Sequence, residues 1–570
     1  MKTPIAFAVL AAATILPASA QMTREQKLAD FQQLAAVYAK NYAPYEWKRD
    51  ALGFDLFQIG PWLERAARSK DDLEFYDVCI EYVASLNDAH DVFVLPSGFY
   101  ASLGFWVDLY DGRVVIDQIS RPTLPLKDYP FRTGDELVSL DGKPVEEWIR
   151  ANWKYSISAN DRSTRRQAAA LITDRPQVYI PRAHEIGESA SVVIRRQNGD
   201  EETYTIPWQK RGAPITVVGP VASPKAAAAS RKATRAEDSG LPGYLRPLAG
   251  LYSLRRTRVT DATLGIGSRS PVFTVRPQGF TQRLGRSSSD TFYSGTFTAS
   301  GFKIGYLRIP DYDPPSQALA LLQFGTEIAY FKENTDGLIL DQMRNPGGNA
   351  CYAQSLAASV IAEPFRTMGF EIRATASWLW AFAESLALAK EQKAEQWIID
   401  MLEARYKDVE TAYLENRGRT GPLAICGLSL EVEPAKDRSG RITAYDKPLM
   451  VLVDEMSSSA AEMFPALIQD HGRGLIAGVR TMGAGGSVVY YDATSYSEGM
   501  ASVTISLMNR KWPIDSEGLP SAPYLENIGV KPDLDLDYMT RDNLKTGGKA
   551  FVDGLVAAMV DHIVARRALQ

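Results

Sequence analysis

The sequence predicts an α/β core with largely parallel strands, preceded by a small β-rich domain and a helical N-terminal region. Three observations predict it. From residue 291 onward the apolar runs "KIGYLRIP", "TDGLILDQM", "PLMVLVDEM" and "GLIAGV" alternate with helical stretches, the signature of βαβ units. Residues 103–210 instead read as short strands punctuated by Asp-Gly turns. The length of 570 residues exceeds what one ordinary hydrophobic core accommodates.

Taken in order, residues 1–20 read as a signal peptide. Lys2 precedes the apolar "PIAFAVLAAATILP", and "ASA" ends at Ala20, a cleavage-site pattern. The mature chain is therefore expected to be exported, periplasmic or secreted. Residues 22–95 are helical, with Leu28, Phe31, Leu34, Ala35 and Tyr38 at helical spacing. Residues 96–212 form the β-rich domain. "FWVDLYDGRVVIDQI" is two strands joined at Asp111-Gly112, "LVSLDGKPVEEWI" carries a second Asp-Gly before a helix, and "ASVVIRRQNGDEETYTIPW" is a closing hairpin. Residues 213–290 are a linker or insert, because 220–243 hold few large apolar side chains and cannot bury much surface. Residues 291–570 are the core, interrupted at 376–445 by a charged, amphipathic helical insertion, a lid or arm.

Composition limits the function classes. Charged residues make up 23% and the net charge is −5, which argues against general affinity for nucleic acid. Beyond the leader, no apolar stretch reaches spanning length. Cys79, Cys351 and Cys426 allow one bridge, and the sequence does not choose it. Four scattered histidines make no convincing metal site, so no metal or cofactor is expected.

Two core loops stand where strands end and helices begin, the usual place for ligands in such sheets. "RNPGGN" (344–349) has two glycines that let backbone N–H groups approach a ligand. "VLVDEMSSSAAEMF" sets Ser457, Ser458 and Ser459 at a helix start, where N–H groups and the dipole favour negative charge. A serine beside two converging sets of donors suits acyl transfer. For Ser459 alone, an ordinary helix N-cap, the commonest use of serine after a strand, is the better explanation.

Four stretches in order, "LNDAHDVFV", "DGLILDQMRNPGGN", "VLVDEMSSSAAEMFPALIQDHGRGLIAGVRTMGAGGSV" and "YLENIGVKPDLDLDY", resemble the C-terminal processing (tail-specific) serine peptidases and their tricorn-core relatives. The resemblance implies a crotonase-like (ClpP/crotonase) α/β core. It makes Ser459, three residues before Glu462, the nucleophile. The N–H groups of Gly348 and Ala460 become the oxyanion hole, with Gly347 close behind Gly348. Tail-specific members take the proton with a lysine, but the matching position in "TMGAGG" is Ala484, which excludes that base there. The tricorn branch uses a histidine and a glutamate, and His90 and Glu526 fit those positions. Glu517 in "DSEG" competes with Glu526. His471 lies at the far end of the helix begun by Ser459, about 15 Å away, and is rejected. His184 and His562 have no supporting context, and Cys351 has no basic neighbour that would make it a nucleophile.

The β-rich region resembles a PDZ domain. "SLGF" resembles the loop with which such domains hold a peptide's terminal carboxylate, which implies peptide contacts at Leu103, Gly104 and Phe105. The expectation is an exported serine endopeptidase with Ser459 as nucleophile, His90 as base and Glu526 orienting it. Its substrate is a peptide or unfolded protein, it needs no nucleic acid, membrane span or cofactor, and its oligomeric state, a homo-oligomer included, stays open. The rival is a catalytically silent PDZ-containing peptide-binding protein. A lipase is disfavoured because "SSSAA" lacks the Gly-x-Ser-x-Gly elbow.

Overall fold

The structure is a computed structural model that describes residues 21–220, 243–245, 275–287 and 289–568. The expected leader and nearly all of the expected 220–243 linker lie outside the described residues.

Four helices, Arg24–Asn41, Tyr45–Leu52, Gly60–Arg68 and Asp72–Ala84, make up the N-terminal region. Thr23 and Asp71 cap the first and fourth through their side chains. Phe31, Leu34, Ala35 and Tyr38 are buried as their spacing predicts, and they share one continuous apolar cluster with the core. Polar contacts join the two as well. Tyr38 Oη donates to the Ser502 carbonyl at 2.7 Å, and the Asp30 carboxylate accepts the N–H groups of Ser495, Tyr496 and Ser497. The N-terminal helices are thus part of the wall around the core rather than a separate module.

The β-rich domain has a sheet running Phe105–Tyr110, Arg113–Ile119, Glu136–Leu140, Ser189–Arg195, Glu201–Pro207. Asp111 and Gly112 take φ of 52° and 73°, and Asp141 and Gly142 take 50° and 74°. Two consecutive left-handed residues suit the right-handed strand twist of a hairpin, which is why Asp-Gly is found there. The domain has its own apolar core around Leu103, Phe105, Ile116, Leu137 and Val192.

The main sheet has seven strands in the order Thr281–Leu284, Tyr293–Ala299, Phe302–Arg308, Gly337–Asp341, Leu449–Val453, Leu475–Gly478, Leu534–Asp535. The first three pair antiparallel and the rest parallel. Gly337–Asp341 and Leu449–Val453 are wholly buried neighbours, with Leu340 opposite Val451. Because they are parallel, the loops that follow them emerge at the same edge. The expected insertion contains the helices Ala376–Glu391 and Gln396–Leu414, which pack on one another. A disulfide between Cys351 and Cys426 ties it to the helix Ala350–Ala358, and Cys79 is free and buried. Among the described residues no helix is long and apolar enough to cross a membrane.

Candidate active site

The three serines divide their work. Ser457 Oγ accepts the Asp454 N–H and donates to the Gln342 carbonyl, each at 3.1 Å. Ser458 Oγ donates to the Pro346 carbonyl at 3.0 Å, while its N–H reaches the Asn345 carbonyl. Both therefore stitch the serine loop to the glycine loop. Ser459 does neither. It heads the helix Ala460–Asp470 with φ of 59° and ψ of −122°; it stands in a capping box with Glu462, yet its buried Oγ reaches no partner at proper hydrogen-bond geometry. A non-glycine residue in that backbone region is strained, and such strain is characteristic of functional sites. The N–H of Ser459 is held by the Glu462 carboxylate at 3.1 Å.

Glu462 is the hub beneath the turn. It also accepts from Thr481 Oγ1 and from the N–H groups of Gly483 and Ala484. Burial pushes its carboxyl up to about 7, against the pull of these four donors. Ala484, where a tail-specific lysine would stand, presents only a methyl group to the cleft and its N–H to Glu462.

The glycine loop packs directly on the serine turn. A Cβ on Gly347 would lie 2.7 Å from Ser459 Cβ, and one on Gly348 would lie 2.3 Å from the Tyr312 carbonyl carbon. Gly348 has φ of 140°, a region that only glycine enters readily. The Gly347 N–H is spent on Asn345 Oδ1 at 2.9 Å, which takes Gly347 out of the expected donor set. No hydrogen bond from the N–H of Gly348 or Ala460 forms among the described residues, and the N–H at a helix's first position has no intrahelical acceptor.

His90 and Ser459 line one cleft of about 480 Å³, together with Gly348 and apolar walls from Val83, Leu171 and Met482. His90 sits in the turn after the fourth helix, where its N–H donates to Asp88 Oδ1. A ring nitrogen of His90 and one carboxylate oxygen each of Asp88 and Glu526 lie within 4.8 Å of one another. Glu526 is fully buried, takes the Gly485 N–H at 2.9 Å, and forms an ion pair with Lys48. Burial pushes its carboxyl up to about 8, Asp88 adds to this, and Lys48 opposes it. Asp91 is raised as well, by burial and then by Asp88. The Asp88, His90 and Glu526 atoms have the spacing of metal ligands, but the Lys48 ammonium on Glu526 repels a cation there.

The competing residues stand elsewhere. Glu517 is exposed in the turn between the strands Ser506–Ser516 and Leu519–Tyr524. His471 bonds to the Arg366 carbonyl, His184 lies against Gln177, and His562 sits on the C-terminal helix.

At the expected peptide-contact positions Leu103, Gly104 and Phe105, two backbone donors are engaged within the domain. The Leu103 N–H donates to the Thr173 carbonyl and the Gly104 N–H to Ser102 Oγ. The side chains of Leu103 and Phe105 are fully buried in the domain core. Arg166, on the helix Asp161–Ala170, pairs with Asp108 on the first strand of the sheet and closes that helix onto it. The same arginine reaches Glu455 in the serine loop, as does Arg162, so the domain is clamped to the core beside Ser459. Sequence reasoning missed these arginines and Lys48, since nothing in their local spacing marks them.

Residues 303–536 match peptidase family S41, and residues 99–215 match a PDZ domain. The core is that of a serine-type peptidase, similar to family S41. Similar chains occur in Chlamydia. One from Chlamydia trachomatis serovar D is 25% identical over 580 residues, covering 92% of this chain and 91% of that one. One from Chlamydia pneumoniae is 26% identical over 600 residues, covering 94% and 90%. Among solved structures, mature CPAF complexed with lactacystin superposes with a TM-score of 0.71 at 22% identity, over 95% of this chain and 99% of that one. Mature CPAF alone gives 0.71 at 21% identity, over 95% and 98%. The chain thus shares its fold with these structures over nearly its whole length.

Proposed function

We propose that this serine-type peptidase is an exported endopeptidase that works through an acyl-enzyme on Ser459. His90 takes the Ser459 proton as the hydroxyl attacks the scissile carbonyl, and returns it to the leaving amine. Glu526, behind His90, stabilises the imidazolium that forms. The N–H groups of Gly348 and Ala460 receive the developing oxyanion. Water then repeats the sequence on the ester. One observation carries the reading: Ser459 holds a strained backbone and an unspent hydroxyl in the same cleft as His90. That hydroxyl also counts against the silent-binder alternative, since Ser457 and Ser458 spend theirs on loop contacts and Ser459 does not.

Two features support export. The N-terminal pattern is that of a leader, and the Cys351–Cys426 bridge belongs in an oxidising compartment. A fluorophosphonate probe tests the chemistry. It should label the wild type on Ser459 and leave Ser459→Ala unlabelled; absence of labelling in the folded wild type overturns the reading.

A further inference from the structure

Lys48 lies on the second helix, 478 residues from Glu526, yet its side chain is wholly buried against it. Its ammonium meets Glu526 Oε1, Asn527 Oδ1 at 2.7 Å and the Asn87 carbonyl at 2.8 Å. Three acceptors meet the ammonium, one for each of its three protons, and neither Ser459 nor His90 is among them. The charge has work to do. Asp88, Asp91 and Glu526 are three buried carboxylates in one site. Among the described residues, Lys48 is the one lysine or arginine paired with any of them. A mechanical role is already filled by others: Trp47 Nε1 donates to Asn527 Oδ1, and Asn527 Nδ2 donates to the Asn87 carbonyl.

We propose that Lys48 is a positioning residue of the peptidase, whose ammonium holds the Glu526 carboxylate in place behind His90 and lowers the cost of its negative charge there. The proposal rests on the assignment of Glu526 as the partner of His90. It makes the N-terminal helical region a contributor to the catalytic apparatus. The groups facing Glu526 are Tyr42 from the end of the first helix, Lys48 from the second, and Asp88, His90 and Asp91 from the turn after the fourth. Glu462 and Arg480 lie on the core side, around the 481–486 loop and the 526–528 turn. Removing the one ammonium leaves the acids unbalanced, so Glu526 binds its proton more tightly and the imidazolium of His90 is favoured. Both effects move the acid limb of activity to higher pH.

The test is the pH dependence of kcat/KM for peptide hydrolysis by the whole mature chain, in wild type, Lys48→Gln, Lys48→Arg, Glu526→Gln and the Lys48→Gln/Glu526→Gln double variant. Glutamine keeps hydrogen-bond donors and removes the charge. Lys48→Gln should lower kcat at pH 7 by about 10²-fold with KM little changed, and raise the acid limb by about one pH unit. Lys48→Arg should restore the limb. The double variant should be no slower than Glu526→Gln, since Lys48 acts through that carboxylate. A Lys48→Gln profile that overlies wild type, or losses that multiply in the double variant, overturns the proposal while the triad stands. Full activity in Glu526→Gln overturns the triad assignment itself, and this proposal with it. Should Lys48→Gln not fold, Lys48→Arg decides: a displaced acid limb despite a retained charge counts against the proposal.

Discussion

Ser459 is set apart from its two neighbours by what its hydroxyl does not touch. Ser459→Ala should lower peptide hydrolysis by about three to six powers of ten, measured as kcat with an unchanged melting temperature. Ser457→Ala should behave the other way. It removes the buried hydrogen bonds of its hydroxyl to Asp454 and Gln342, costing about 1–3 kcal/mol of stability by denaturant titration, while activity stays within about tenfold. Equal catalytic loss from both would show that the wrong serine was chosen. At His90, alanine should abolish activity near neutral pH. Ala484→Lys should not rescue it, because the Ala484 N–H is tied to Glu462 in a loop shaped around a methyl group. An unchanged rate in His90→Ala would require a different base.

At the scale of elements, the two loops at the sheet edge act as one unit. Gly348→Ala places a methyl group against the Tyr312 backbone in a region that L side chains rarely adopt. Loss of one oxyanion donor costs about 10²–10³ in kcat, so this variant should lose at least that much while fluorophosphonate labelling slows in parallel. Labelling at the wild-type rate would detach Gly348 from the chemistry. The PDZ-like domain leads to an opposite expectation from the one its sequence suggests. With the Leu103 and Gly104 N–H groups already engaged, amidating the C-terminus of a peptide substrate should leave kcat/KM unchanged within about twofold. A strong preference for the free carboxylate would mean that this loop opens.

For the whole molecule, two groups of titrating residues oppose each other. Glu526 and Glu462 have carboxyls raised to about 8 and about 7. Their folded form prefers the proton, so the stability they lend is complete below the ordinary carboxylate range and is lost as pH rises through 7 to 8. Asp71, Glu81 and Asp537, beside Arg182, Lys154 with Arg65, and Arg162, are lowered, and their contribution is lost in acid. Melting temperature should therefore peak near pH 5–6 and decline towards pH 9. A melting temperature that rises steadily across that range would contradict the raised acids. The Cys351–Cys426 bridge closes a 75-residue span between the helix after the glycine loop and the inserted arm. Cys426→Ser should cost about 4 kcal/mol through loop entropy, read by denaturant titration against reducing agent, which should have no further effect on the variant.

What the sequence determined by itself was local and periodic. Apolar runs announced the parallel strands, Asp-Gly pairs announced the hairpins, and four motifs in order announced the peptidase core, because each is a property of neighbouring residues. The departure at Ala484 was also legible, since one methyl group cannot take a proton wherever the chain places it. Other features were decided by tertiary structure alone. "SLGF" reads as an open carboxylate loop until Thr173 and Ser102 are seen to occupy its N–H groups. Three cysteines allow three pairings until 351 and 426 are brought together. Lys48 sits in "EWKRD" like any solvated helical lysine, and only packing buries it beside an acid 478 residues away. Burial and long-range partners set the charge state of a group, and neither is written in the spacing around it.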